Sequence, residues 1–252
     1  MAKNININPK LMLVFNTRGQ FIKVADYLEQ DAINKRIYRI FVPLTDDNFN
    51  VAEYFKEKLG VKLPYVIFDN ERDYIAEKLA RVRADGIKYA LVDNIGHINI
   101  AQESGFELVG NAGLNITNSH ALEAYKNLGF KDIILSTELK FAQVRDINKC
   151  VNTGIIAYGR LNLMISENKL ADYIRDKTGA VFPVLEDNGR SIIYNSVPVY
   201  LADKRELYKN LGLFFISLNF TVETPEEIKN IISGYIWPEK AVLPAKFTRG
   251  YK

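Results

Sequence analysis

The feature that most constrains the fold is a joint that recurs along the chain: a helix-like segment, a glycine, then an apolar run. It reads KLGVKLPYVIFD, ADGIKYALVDN, NLGFKDIILST and NLGLFFISLNF. Gly60, Gly86, Gly105, Gly129 and Gly212 each follow a helical pattern and shortly precede an apolar strand. A helix that closes in the left-handed conformation favours glycine there, because a side chain would clash. Repetition of the joint calls for helices and strands in alternation.

Eight apolar runs fit that scheme: residues 11–17, 37–44, 62–69, 88–93, 106–110, 132–136, 154–158 and 213–219. Helical periodicity marks 20–34, where Phe21, Val24, Ala25, Leu28 and Ala32 share a face, and then 50–59, 71–84, 98–103, 119–128, 141–148 and 203–211. Thr224-Pro225-Glu226-Glu227 opens a last helix with an N-cap, a first-turn proline and two acids. The strands are apolar throughout and do not alternate, as in parallel sheets buried on both faces. At 252 residues the chain matches the usual size of one α/β barrel, about 250 residues. We therefore expect a TIM-like (β/α)8 barrel over residues 1–252. A small β-hairpin insert lies between strands 7 and 8, at 161–202, and a carboxyl-terminal tail at 237–252. Within the insert, Asn188-Gly189 between two apolar runs signals a hairpin turn. An open doubly wound sheet is the rival. Neither GxGxxG nor GxxxxGK[ST] follows the first strand, which removes its commonest nucleotide-binding form.

In a barrel the site lies at the carboxyl ends of the strands. Those ends read Asn16-Thr17-Arg18, Pro43, Asp69-Asn70-Glu71, Asp93-Asn94, Asn111 with Asn115, Thr117 and Asn118, Ser136-Thr137-Glu138, Tyr158 with Arg160, and Asn219 with Thr221 and Glu223. Amides, hydroxyls, carboxylates and arginines in one ring suit a small anionic or peptide-like ligand, since arginine clamps an oxyanion and amides read polar groups. Glu138 is a candidate general acid or base, or else a first-turn acid of the next helix. Arg160 meets an anion or pairs with Glu138. Asn94 and Ser136 join the ligand-binding candidates; Asn115 and Asn118 bind ligand or serve as turn and N-cap residues. Tyr158 lies in the same ring, its bland reading being a packing residue with a tethered hydroxyl.

Composition narrows the chemistry. Formal charge is +3, from 33 basic and 30 acidic residues, too small an excess to announce a nucleic-acid binder. One cysteine, Cys150, and two histidines, His97 and His120, exclude a disulfide framework and disfavour a metal centre, so none is expected. No Ser-His-Asp or Cys-His arrangement is evident. No run reaches the ~18 apolar residues of a membrane span. A soluble, cytoplasmic setting without membrane contact is expected.

Residues 114–139 (LNITNSHALEAYKNLGFKDIILSTEL), 157–168 (AYGRLNLMISEN), 179–203 (GAVFPVLEDNGRSIIYNSVPVYLAD) and 246–250 (KFTRG) resemble the U32 peptidase family. The likeness is to the carboxyl-terminal barrel of its long, collagenase-like or RNA-hydroxylation-associated members. It implies a TIM-like barrel with a β element after the seventh strand, nominal hydrolase activity, and Arg249 of the FTRG stretch as a further ligand-binding candidate. Some relatives take part in RNA modification and hold an iron–sulfur cluster through cysteines. Here Lys169 stands where the first of these is expected, and Asp187-Asn188-Gly189-Arg190 lacks a later one. No cluster is expected, and the enzyme assignment stays open. The alternative is a cluster-free, non-catalytic accessory domain that binds RNA or a partner chain, such as a cysteine-bearing neighbouring barrel. The chain is also read as one piece of a longer protein.

Overall fold

The structure, a computed structural model, describes residues 8–45 and 55–251. In chain order its strands are β1 (Lys10–Phe15), β2 (Ile37–Pro43), β3 (Leu59–Lys62), β4 (Tyr89–Val92), β5 (Glu107–Gly110), β6 (Asp132–Ile134) and β7 (Asn152–Gly159). An insert then contributes β8 (Asn162–Ser166), β9 (Tyr173–Arg175), β10 (Val181–Asp187) and β11 (Arg190–Tyr194), followed by β12 (Val199–Tyr200) and β13 (Phe215–Phe220). Strands β1 to β7 pair in sequence and in parallel. β13 closes the ring between β7 and β1, which makes an eight-stranded barrel. The helices are α1 (Arg18–Glu29), α2 (Asp31–Asn34), α3 (Arg72–Ala84), α4 (Ile98–Glu103), α5 (Ser119–Asn127), α6 (Phe141–Asp146), α7 (Arg205–Lys209) and α8 (Pro225–Ile236).

Alternate residues of each strand face two different cores. Met12, Val14, Phe41, Leu91, Val109, Ile134, Ile156 and Phe215 fill the barrel. Leu11, Leu13 and Phe15 point outward with Ile40, Val42, Val61, Ala90 and Leu218, and meet Phe21, Val24 and Leu28 of α1 and the matching faces of the other helices. This double burial is why the runs do not alternate in sequence. At the amino-terminal end of the barrel the packing is polar. The Tyr38 hydroxyl donates to both Asp132 carboxylate oxygens, at 2.9 and 3.1 Å, and Asn152 Nδ2 donates to Oδ1 at 2.9 Å. Arg39 sits 3.7 Å from the Tyr89 ring centroid and 4.2 Å from that of Tyr38.

Several boundaries depart from expectation. The third strand ends at Lys62 rather than running to 69, because Pro64 has no N–H with which to continue the ladder. Residues 64–68 instead lead away from the strand toward the barrel mouth. Gly86, Gly105, Gly129 and Gly212 have positive φ, as helix-terminating glycines should. Gly60 does not: it lies inside β3, where a Cβ would stand 2.4 Å from the Phe41 ring and 2.8 Å from the Tyr89 carbonyl oxygen. The helix read over 50–59 falls partly outside the described residues, and Leu59 already belongs to β3. The helix read over 20–34 breaks at Gln30, whose ψ of 126° is extended.

β7 outruns its neighbour. Its pairing with β6 stops at Ile134 opposite Gly154, yet the strand continues to Gly159. The groups beyond that point are met by tyrosines. The Ile156 N–H donates to the Tyr251 hydroxyl at 3.0 Å, and the Tyr235 hydroxyl donates to the Ala157 carbonyl at 2.5 Å. β12 then pairs antiparallel with Tyr158 and Gly159. Tyr251→Phe should therefore strand a buried N–H and lower unfolding free energy by about 1–3 kcal/mol. Urea denaturation checks this, and a midpoint matching the unaltered protein would contradict it.

Candidate functional site

The carboxyl ends of the barrel strands open beneath the insert. β8, β11, β10 and β9 form a separate antiparallel sheet, and the hairpin between β10 and β11 turns at Asn188 (φ 48°) and Gly189 (φ 79°), as the sequence foretold. Contacts from this hairpin tie the sheet to the segment after β3. Asp187 Oδ2 accepts from the Tyr65 N–H at 2.7 Å. Arg190 meets Glu71 with two parallel bonds of 3.1 and 3.0 Å and lies 4.4 Å from the Phe68 ring centroid. Arg190 is nearly buried, and two-pronged arginine–carboxylate pairs of this kind fix orientation. Burial alone would raise the Glu71 pKa, but Arg190 and the Phe68 N–H hold it below the ordinary glutamate value.

Between barrel and insert lies a cavity of about 360 Å³. Its walls include Tyr65, Asp93, Asn94, Asn111, Gly113, Thr137, Arg160, Asn162 and Asn219. Asp93 follows β4 directly and is buried; it accepts from Asn111 Nδ2 at 2.9 Å and from the Gly113 N–H at 3.2 Å. Glycine is required at 113, since a Cβ would stand 2.7 Å from both the Asp93 carbonyl oxygen and Oδ1. Burial raises the Asp93 pKa against the lowering pull of Lys62 and its hydrogen bonds. Arg160 follows β7 at Gly159, whose φ of 131° and 2.4 Å approach of a Cβ to the Asn219 carbonyl oxygen exclude a side chain. The Arg160 guanidinium donates to the carbonyls of Asn195 and Ser196, while its buried Nε has no partner. Below the large cavity is a smaller one of about 20 Å³, bordered by Lys62, Tyr65, Asn111, Arg160, Tyr194 and Asn219 among others.

The sequence-predicted residues divide. Arg160 and Asn94 line the large cavity, with Asn94 also capping the turn at Gly96 through a 2.9 Å bond. Ser136 and Asn115 meet each other, the hydroxyl donating at 2.6 Å, and Asn115 holds the left-handed conformation at φ 51°. Asn118 accepts from the Ala121 N–H at 2.9 Å and is the N-cap of α5. Glu138 is exposed and does not line the cavity, so no pair with Arg160 forms; the Arg160 guanidinium turns to the insert's carbonyls instead. Tyr158 faces outward: its hydroxyl donates to Glu223 at 3.0 Å, and its pKa is raised by burial and by that carboxylate. Arg249 also lies elsewhere, bound to both Asp203 oxygens at 2.5 and 2.8 Å and to the Tyr200 carbonyl, where it fastens the tail. His97 is buried, which lowers its pKa to about 4 and keeps it neutral. Sequence reasoning missed Lys62, which it took for the first residue of a strand; the proline two positions later was the available signal.

The residues here do not fit the iron–sulfur cluster of relatives. The single cysteine, Cys150, precedes β7 at the opposite end of the barrel, and Arg190 is engaged with Glu71. Four thiolates cannot come from this chain. Among the described residues no helix is long and apolar enough to cross a membrane.

An eight-stranded parallel barrel with a polar cavity at the carboxyl ends of its strands, capped by an antiparallel insert, defines a TIM-barrel protein. The sequence profile of Peptidase family U32 matches residues 45–180, just over half of the chain, and the chain belongs to that family. Among curated proteins none matches it. Among solved structures it is similar to a mutant tryptophan synthase alpha-subunit from the hyperthermophile Pyrococcus furiosus. The TM-score there is 0.50 at 11% identity, over 90% of this chain and 97% of that one. The tryptophan synthase α2β2 complex of the same organism gives 0.50 at 10% identity, over 91% and 97%. At such identity the likeness concerns the barrel alone.

The insert's attachment is open to test. A carboxyl group whose folded pKa is depressed contributes stability above its unfolded value, about 4.3 for glutamate, and loses it as pH falls through the folded pKa. Amide-exchange protection in residues 181–194 should therefore drop as pH falls below about 4. Glu71→Gln should already show the lowered protection at pH 7. Equal protection in the two proteins at pH 7 would contradict the attachment.

Proposed function

We propose that this U32 family member binds a small anionic, peptide-like molecule in the mouth cavity and hydrolyses it. Arg160 holds the anionic group and Asp93 moves the proton. The observation that carries the reading is the half-buried Arg160, whose buried Nε has no partner, at a cavity whose polar lining includes four asparagines. Arginine beside a concave polar surface suits a carboxylate, and Asn94, Asn111, Asn162 and Asn219 suit peptide N–H and C=O groups. Asp93 is the carboxyl group of the cavity whose pKa is raised, toward the range in which a group both accepts and returns a proton. In amide hydrolysis it would take a proton from the attacking water and return it to the departing amine.

Binding is measured with acetylated dipeptides by thermal shift and calorimetry. Arg160→Ala should weaken it about ten- to a hundredfold, the worth of a charged hydrogen bond. Asp93→Asn should keep binding and remove hydrolysis. Hydrolysis undiminished in Asp93→Asn would overturn the proton-transfer role. Salt-sensitive RNA retention without any peptide binding would replace the reading with that of an accessory RNA-binding domain.

A further inference from the structure

Lys62 has no place in that account, yet it is the more unusual cation of the mouth. It ends β3 at 7% exposure, with its ammonium 4.1 Å from the Tyr65 ring centroid. It makes no hydrogen bond or ion pair with any described residue. An ammonium carries three donors, and here they are left for whatever occupies the space it borders. Burial opposes its charge, but the attraction of Tyr194, Asp187 and Asp93 outweighs that and leaves its pKa above the ordinary lysine value. Neither carboxylate bonds to it directly: Asp187 is taken by the Tyr65 N–H, and Asp93 by Asn111 and Gly113.

The space beside Lys62 is the 20 Å³ cavity, which Arg160 also borders. That volume admits about one water-sized atom. Tyr65, Asn111, Arg160 and Asn219 border both this hole and the larger cavity, so the hole is the floor of the cavity above it. The buried Lys62 and the half-buried Arg160 thus flank an oxygen-sized space.

We propose that Lys62 and Arg160 form a buried carboxylate subsite at the floor of the mouth, so that the ligand enters by a free terminal carboxylate. The substrate class is then short peptides or amino-acid conjugates with that end free, and not an internal stretch of a long chain. This rests on the reading of the mouth cavity as a peptide-like binding site.

The test compares acetylated dipeptides ending in a free carboxylate with the same dipeptides ending in an amide. Both are titrated into the unaltered protein, Lys62→Met and Lys62→Arg. The unaltered protein should prefer the free acid by about ten- to a hundredfold. Lys62→Met should cut that ratio severalfold, leaving the part that Arg160 supplies, and should lower acid affinity more than amide affinity, whereas Lys62→Arg should retain most of the preference. A merely structural lysine would weaken both ligands alike, which overturns the proposal. A preference undiminished in Lys62→Met overturns it too. Equal binding of acid and amide to the unaltered protein removes the subsite but leaves the cavity reading standing. Binding of neither removes the cavity reading and the subsite with it.

Discussion

Much of this molecule follows from one requirement, that every backbone group of β7 beyond the end of β6 find a partner. β6 pairs over only three residues, while β7 is eight residues long. In a barrel wall, water is not at hand to satisfy the surplus. The Tyr235 hydroxyl, from α8, accepts from the Leu201 N–H at 2.9 Å and donates to Ala157. Tyr251, from the tail, receives the Ile156 N–H. These two phenols and the short β12 let β7 continue upward to Gly159 and present Arg160 at the mouth. The tail is thereby part of the barrel wall, which gives the KFTRGY stretch a physical meaning: Arg249 clamps Asp203 and Thr248 bridges to Val199.

The same irregularity divides the chemistry at the end of β7. Its register against β13 shifts between Ile156 and Tyr158, so Ile156 packs inside the barrel while Tyr158 packs outside. Tyr158 and Glu223, next to the strand ends in sequence, therefore form a hydrogen-bonded pair in the outer layer. The inner ring is left to Asp93, Asn111, Arg160, Asn219 and Lys62. Of these, the aspartate and the lysine are both buried and influence each other without a direct bond.

The barrel was legible because its cause is local. Glycines with positive φ at 86, 105, 129 and 212 stop helices, and strands buried on two faces read as unbroken apolar runs. The start of β3 was not legible, because Gly60 answers to the Phe41 ring across the sheet and not to its own helix. The site was half legible. Polar residues at strand ends are visible in sequence, but which of them face inward depends on register, bulges and loop exits. Glu138 sits just past β6 and is exposed. Lys62 looked like the foot of a strand and proved to be its head. Arg249 lies in a motif read as ligand-binding, and its structural partner, Asp203, is distant in sequence.

Finally, the turn of the β10–β11 hairpin is fastened to a single stretch of the barrel end. Asp187, Asn188 and Arg190, all at one hairpin, contact the single stretch between Tyr65 and Glu71. A molecule bound beneath the sheet, as proposed above, would be covered on that side by the hairpin. Loosening that clasp would then change how fast such a ligand leaves more than it changes the polar contacts that hold it.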